Sequence, residues 1–147
     1  MSKKLWIGLL FVLVVAFIGL RPHFQQRPST SAVATDEISV RTADRQVASY
    51  LQQHRRLPDF YLTKAQARRQ GWTPSKGNLC QVLPGRAIGG DRFANREGKL
   101  PAGAERQWYE ADVNYHCGRR STDRLLYSND GLIYLTTDHY RSFQRVE

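Results

Sequence analysis

Residues 122–136, TDRLLYSNDGLIYLT, contain two short runs rich in Leu, Ile and Tyr on either side of Asn129-Asp130-Gly131. Turn residues between two such runs predict a β-hairpin, because Asn, Asp and Gly tolerate the backbone angles of a tight turn. Runs of similar composition lie upstream at 86–92 and 106–113 and downstream at 142–146. The sequence therefore predicts a sheet of about five strands in the C-terminal part of the chain.

The chain before these strands has a helical pattern. Val47, Tyr50 and Leu51 recur at helical spacing and predict an amphipathic helix over 43–55, which ends before the turn at Pro58.

A second helix is predicted to begin after Thr63, because Thr63-x-x-Gln66 has the form of a capping box. We expect it to run through about Arg69 and to stop at Gly71. A short helical turn is expected near 78–82. Helices followed by strands are typical of an α+β fold, with N-terminal helices packed on one antiparallel sheet.

The N-terminus has the pattern of an export signal. Lys3 and Lys4 precede an uncharged apolar stretch from Leu5 to Leu20, which predicts a signal peptide over 1–20. Because small residues suited to cleavage occur only later, at 32–34, a retained signal-anchor remains an alternative. Residues 21–40 are polar and turn-rich and predict a tether or processing segment, with the folded domain over 41–147. We expect a secreted or periplasmic protein, with membrane contact only through residues 5–20 if they are retained.

The net charge points to the class of partner, and the cysteines fit the expected compartment. The chain has a formal net charge of +9, and 18 basic residues face 13 acidic ones from residue 35 onward. Such an excess favours polyanionic partners, nucleic acid or an anionic membrane. Cys80 and Cys117 are the two cysteines of the chain, and an even pair in an oxidising space predicts a disulfide.

Ordered blocks of the chain between Ala43 and Val146 resemble the barnase-like family of secreted, guanyl-preferring microbial ribonucleases. The blocks are Leu57-Pro58-Asp59, Gly71-Trp72, Ser75-Lys76-Gly77-Asn78-Leu79, Ile88-Gly89-Gly90-Asp91, Asn95-Arg96-Glu97-Gly98-Lys99-Leu100-Pro101, Glu110-Ala111-Asp112, Asp123-Arg124, Leu132-Ile133-Tyr134 and Thr136-Thr137-Asp138-His139-Tyr140.

The resemblance implies cleavage of single-stranded RNA after guanosine without a metal or other cofactor. It assigns Glu110 as the general base for the 2′-hydroxyl and His139 as the general acid for the 5′-oxygen, with a 2′,3′-cyclic phosphate as product. Glutamate and histidine have reference pKa values of about 4.3 and about 6.5. We therefore expect a bell-shaped dependence of rate on pH.

The resemblance also implies how phosphate and base are bound. Lys64, Arg120 and Arg124 would stabilise the phosphate, with Asp112 holding the two arginines and Asp91 supporting the site. The residues expected to bind the guanosine and neighbouring bases are Phe93, Asn95, Arg96, Glu97 and Tyr140. Arg106 and Asp130 are expected to form a structural ion pair.

A few positions depart from the family pattern. Ala94 replaces a serine, Gly131 replaces a large aromatic residue, and Arg119 and Ser121 differ beside the phosphate-binding arginines. The two cysteines also stand where the family has none, and the family fold would make them neighbours.

Two alternatives remain beside the secreted enzyme. One is an RNA- or polyanion-binding module that lacks catalysis, and the other is a membrane-anchored toxin with the same ribonuclease chemistry. The resemblance further implies a monomer and a small acidic, barstar-like protein inhibitor as a partner.

Overall fold

The computed structural model of the protein describes residues 37–147. The predicted export segment (1–20) and most of the predicted tether lie outside the described residues. Residues 37–41 are helical, and Ile38 is 1% exposed within the core, three residues before the expected start of the domain at Arg41. Within 37–147, no helix combines the length and apolar character that a membrane crossing requires.

The predicted first helix is α1, Asp44–His54. It buries Val47, Ala48 and Leu51, whereas His54 is exposed. The helix ends at Arg55, whose φ of 56° breaks the helical path while its backbone N–H donates to the Leu51 carbonyl at 2.9 Å. The helix is therefore amphipathic and packs its apolar face against the core.

The predicted capping box opens α2, Lys64–Arg69. The Thr63 hydroxyl accepts from the Gln66 backbone N–H at 3.3 Å, and the Thr63 N–H donates to the Gln66 side chain at 3.0 Å. Gly71, at a φ of 103°, follows the helix. A 3-10 turn at Pro74–Lys76 and the short helix α3, Leu79–Val82, complete the helical part.

Six strands form one sheet in the order β1-β2-β3-β4-β5-β6. The strands are β1 (Tyr61–Leu62), β2 (Ala87–Phe93), β3 (Trp108–Asp112), β4 (Arg124–Ser128), β5 (Ile133–Thr136) and β6 (Gln144–Arg145). The predicted α+β class and the five predicted strands are confirmed. The sheet is mixed, because β1 pairs in parallel with β2 while the other pairs are antiparallel. Because β1 has only two residues, it is too short to show the alternation of apolar and polar residues by which strands are recognised in a sequence.

A bulge at Gly90 shifts the register of β2 against β3. Gly89 lies opposite Ala111, and Asp91 lies opposite Glu110, so two steps on β2 match one step on β3. Gly90 has a φ of 98°, a conformation that glycine adopts without a steric penalty.

The sheet separates two apolar clusters. The larger one contains the helices together with side chains such as Ala111 and Leu125. On the other face, Leu100, Trp108 and Leu126 form a smaller cluster. Side chains alternate across a strand, so this second face also carries Glu110 and Asp112, and it is the face on which a site can be built.

The predicted disulfide between Cys80 and Cys117 is confirmed, with Cα atoms 5.7 Å apart. It ties α3 to the loop between β3 and β4.

Gly131 is another position that departs from the family pattern. The Arg55 guanidinium occupies the space where a side chain at Gly131 would begin.

Candidate active site

The second face of the sheet forms the floor of an open groove of about 430 Å³. Its lining combines one carboxylate of the sheet, basic side chains, aromatic rings and the loop after β2. The lining residues are Lys64, Arg92, Phe93, Ala94, Asn95, Arg96, Glu97, Lys99, Glu110, Tyr140 and Phe143. Most of the residues that the resemblance assigns to RNA therefore meet in this groove, whereas His139, Arg120 and Arg124 are not among its lining residues.

Glu110 lies at the centre of β3 and is only 6% exposed. Its Oε1 accepts a hydrogen bond from Lys64 Nζ at 3.0 Å, and its Oε2 accepts one from the Tyr140 hydroxyl at 2.6 Å. A buried carboxylate requires such partners. Both oxygens are thus held in fixed positions at the floor of the groove.

Lys64 reaches Glu110 because Asp91 fixes the start of α2. The Lys64 backbone N–H donates to Asp91 Oδ2 at 2.9 Å. Asp91 lies directly opposite Glu110 across the β2–β3 pair. Asp91 therefore holds the start of α2 close to Glu110, so that the Lys64 side chain can reach the Glu110 carboxylate.

Asp112, two residues along β3 from Glu110, contacts two arginines. Arg120 donates from Nε and Nη2 to the two Asp112 oxygens, both at 2.7 Å. Arg124 Nε lies 3.0 Å from Asp112 Oδ1, an ion pair whose angle does not meet hydrogen-bond geometry. The Arg124 Nη1 group donates to the backbone carbonyls of Ser121 and Asp123 at 2.7 and 2.8 Å. Two guanidinium groups are therefore anchored side by side.

His139 and Tyr140 lie in the loop between β5 and β6. Both have positive φ angles, 54° and 70°, which is uncommon for residues other than glycine. His139 is exposed, and its ring centroid lies 4.9 Å from that of Tyr140. Tyr140 thus contacts both the imidazole, through its ring, and Glu110, through its hydroxyl.

The loop after β2 forms one wall of the groove. The Phe93 ring stacks on Tyr140 with centroids 5.3 Å apart. Asn95 binds the Leu100 backbone twice, donating to its carbonyl at 3.0 Å and accepting from its N–H at 3.1 Å. Glu97 is exposed and lies 3.0 Å from Lys99. Ala94 and Arg96 are exposed beside it.

Two pKa shifts follow from these contacts. Burial, and then the hydrogen bond to Glu110, raises the pKa of Tyr140, so its hydroxyl remains a donor near neutrality. Burial lowers the pKa of Arg120, but the hydrogen bonds with Asp112 together with the charges of Asp112 and Glu110 and the effect of Tyr140 outweigh burial, and the pKa is raised. The guanidinium therefore stays charged.

Asp138, in the loop that carries His139 and Tyr140, is a residue to which no sequence pattern assigns a role. Its carboxylate accepts four hydrogen bonds, from the Thr136 hydroxyl, the Arg141 and Ser142 backbone N–H groups and the Ser142 hydroxyl. The Ser142 hydrogen bonds are the main cause that lowers the pKa of Asp138 to about 2. An aspartate that is followed by polar residues is a signal for such a loop, although not for its role.

The groove can perform acid–base chemistry on an anionic substrate. It has a carboxylate oriented by two donors, one of them the cationic Lys64, and aromatic rings along the wall. Arg120 and Arg124, which contact Asp112, and His139 in the β5–β6 loop are not among the lining residues. Within residues 37–147, no group of three or more His, Cys, Asp or Glu side chains is arranged to hold a metal ion.

The chain is similar to known ribonucleases over most of its described length. Residues 44–147 match a protein-family model described as ribonuclease. Over 100 residues the chain is 59% identical to a ribonuclease of Heyndrickxia coagulans, a match that covers 68% of this chain and 92% of that protein. It is also 59% identical over 100 residues to ribonucleases of Bacillus intermedius and Bacillus pumilus, covering 68% of this chain and 62% of each relative. The chain therefore belongs to the barnase-like family of microbial ribonucleases.

Proposed function

We propose that this ribonuclease is an exported, metal-independent endoribonuclease that cleaves single-stranded RNA after guanosine. The observation that carries the proposal is the buried Glu110 carboxylate, held between Lys64 and Tyr140 on the groove floor. A module that only bound RNA would have no use for a carboxylate beside the phosphate, where it repels the ligand. In an enzyme, the same carboxylate can accept the proton of the 2′-hydroxyl.

RNA supplies its own nucleophile in this reaction. Glu110 accepts the proton of the 2′-hydroxyl while the 2′-oxygen bonds to phosphorus. The bond between phosphorus and the 5′-oxygen breaks, and His139 donates a proton to that oxygen. The products are a 2′,3′-cyclic phosphate and a free 5′-hydroxyl group. Water then opens the cyclic phosphate, with the two residues exchanging roles.

The cations stabilise the charge that develops on the phosphate. Arg120 and Arg124 offer planar groups that match phosphate oxygens, and Asp112 already fixes their orientation. Lys64 adds a third positive charge at Glu110. Preorganised cations of this kind need no rearrangement during the reaction.

Guanine specificity is assigned to the loop after β2. The Glu97 carboxylate can accept hydrogen bonds from N1–H and the 2-amino group of guanine, a donor pair that adenine lacks. The Phe93 and Tyr140 rings offer surfaces for base stacking, worth about 1–3 kcal/mol per base.

Export is proposed from the sequence of residues 1–20, in which Lys3 and Lys4 precede the apolar stretch. A basic groove of this kind also fits a small acidic protein inhibitor, which would protect the producing cell by occupying the phosphate sites. We propose that the enzyme acts as a monomer.

The test is cleavage of the dinucleotides GpU and ApU by the domain from residue 35 onward, in EDTA, beside His139→Ala and Glu97→Gln variants. We expect rapid GpU cleavage that survives chelation and falls by about 10²–10⁴-fold in His139→Ala. Glu97→Gln should lower GpU cleavage and leave ApU cleavage unchanged, with Glu105→Gln as the matched control. Folded protein that cleaves neither dinucleotide would overturn the enzymatic proposal in favour of a binding module.

A further inference from the structure

We infer that Asp138 is the positioning residue of the reaction, which holds the loop that presents His139 to the leaving group. The inference rests on the proposed function and extends it to a residue that makes no contact with Glu110 and is absent from the groove lining. Its basis is the hydrogen-bond network of residues 136–142.

The loop has to hold an unfavourable backbone conformation at two successive positions. His139 and Tyr140 both adopt left-handed φ angles, which non-glycine residues avoid unless the surroundings impose them. Neither residue has a glycine neighbour within the loop. Contacts from outside the two residues must therefore keep them in place.

Asp138 accepts four hydrogen bonds from residues on either side of His139 and Tyr140. Its Oδ1 accepts from the Arg141 N–H at 3.1 Å, from the Ser142 N–H at 2.9 Å and from the Thr136 hydroxyl at 2.9 Å. Its Oδ2 accepts from the Ser142 hydroxyl at 2.6 Å. One carboxylate thus closes the chain across His139 and Tyr140, from the residue before them to the two residues after them.

Thr136 connects this network to the sheet. It is 1% exposed and lies opposite Arg124 in the β4–β5 pair. Its hydroxyl donates to Asp138 and accepts from the Tyr140 backbone N–H at 3.1 Å. The carboxylate of Asp138 is therefore bonded to a buried side chain in the same cross-strand row as the anchored arginine, so the loop is positioned relative to the phosphate site.

The experiment is a double-mutant cycle between Asp138→Ala and His139→Ala with GpU as substrate. A misplaced acid should lower kcat by about 10- to 100-fold, with little change in KM. In the His139→Ala background, the further loss from Asp138→Ala should be less than about twofold. Asp138→Asn should recover part of the rate, because its carbonyl oxygen can accept the two backbone N–H bonds. Asp59→Ala, an exposed aspartate outside the groove, is the control.

A second substrate separates positioning from general destabilisation. A guanosine 3′-(4-nitrophenyl phosphate) has a leaving group that departs without a proton, so its cleavage should be nearly insensitive to Asp138→Ala. An equal loss on both substrates, or in both backgrounds of the cycle, would overturn the inference. Wild-type protein that does not cleave GpU would instead refute the proposed function, so the two failures are distinguishable.

Discussion

The hydroxyl of Tyr140 lies 2.6 Å from Glu110 Oε2, while the ring of the same tyrosine stacks on Phe93 with centroids 5.3 Å apart. One side chain thus joins the buried carboxylate to the wall of the groove. The hydroxyl can be removed while the ring is kept, so the effect of the hydrogen bond to Glu110 can be measured by itself.

Tyr140→Phe keeps the stacked ring and removes the donor to Glu110. We expect kcat for GpU to fall about tenfold, the rate equivalent of roughly 1.4 kcal/mol, with KM nearly unchanged. Tyr109→Phe is the matched control, since its hydroxyl donates to Gln107 instead. A raised KM with an unchanged kcat would show that the hydroxyl acts in binding.

Asp112→Asn should lower the stability of the protein. Arg124 is 3% exposed at its side chain, as is Asp112, so neutralising the aspartate leaves a buried guanidinium without its counter-charge. We expect the free energy of unfolding to fall by about 3 kcal/mol, toward the lower end for a broken buried pair because Arg124 keeps two backbone acceptors. Urea unfolding beside Asp59→Asn measures the loss. A difference below about 1 kcal/mol would contradict the burial argument.

The disulfide should account for a sizeable share of the stability. Cys80 and Cys117 are 37 residues apart, and closing a loop of this length contributes roughly 4 kcal/mol by restricting the unfolded chain. The Cys80→Ala/Cys117→Ala variant should unfold at correspondingly lower urea concentration. Adding dithiothreitol should destabilise the wild type to a similar degree and leave the variant unaffected. An equal response of both proteins would rule out the bond as the cause.

Asp130 predicts a specific acid dependence of stability. The hydrogen bonds from Arg106, followed by that from Ser128, lower the pKa of Asp130 from its usual 3.8 to about 2. A carboxyl whose pKa is lower in the folded state stabilises the fold above its unfolded pKa and loses this contribution as pH falls through its folded pKa. Wild type should therefore be more stable than Asp130→Asn at pH 6, and the two should converge near pH 2. A difference that is constant from pH 2 to pH 6 would contradict this assignment.

Local signals in the sequence predicted those elements whose own residues determine them. The capping box of α2 and the hairpin at Asn129-Asp130-Gly131 each depend on neighbours in the chain, and both are present. Glu110 and Asp112, two residues apart on β3, lie on one face, as the alternation of side chains along a strand requires. In contrast, β1 consists of two residues that are ordered by pairing with β2, and no local pattern reveals it.

The site was predictable in its residues but not in its connections. Family blocks pointed to Glu110, His139 and the cations, of which Glu110 and Lys64 line the groove. The bond from Tyr140 to Glu110 and the four bonds accepted by Asp138 depend on how the β5–β6 loop folds back over the sheet. Such contacts depend on the path of the backbone in the loop, which the spacing of residues in the sequence does not predict.

The bulge at Gly90 limits which insertions and deletions this protein can accept. A one-residue change in strand register reverses the face to which each later side chain points. Losing Gly90, the extra residue of the bulge, would leave Asp91 opposite Glu110 and still facing the groove. Losing one residue between Asp91 and Phe93 would instead turn Phe93 away from the groove. After Phe93 the chain continues as a loop, where extra residues do not change the face to which the side chains of any strand point. Length variation in this family should therefore concentrate at the bulge and after Phe93, and the segment from Asp91 to Phe93 should keep a constant number of residues.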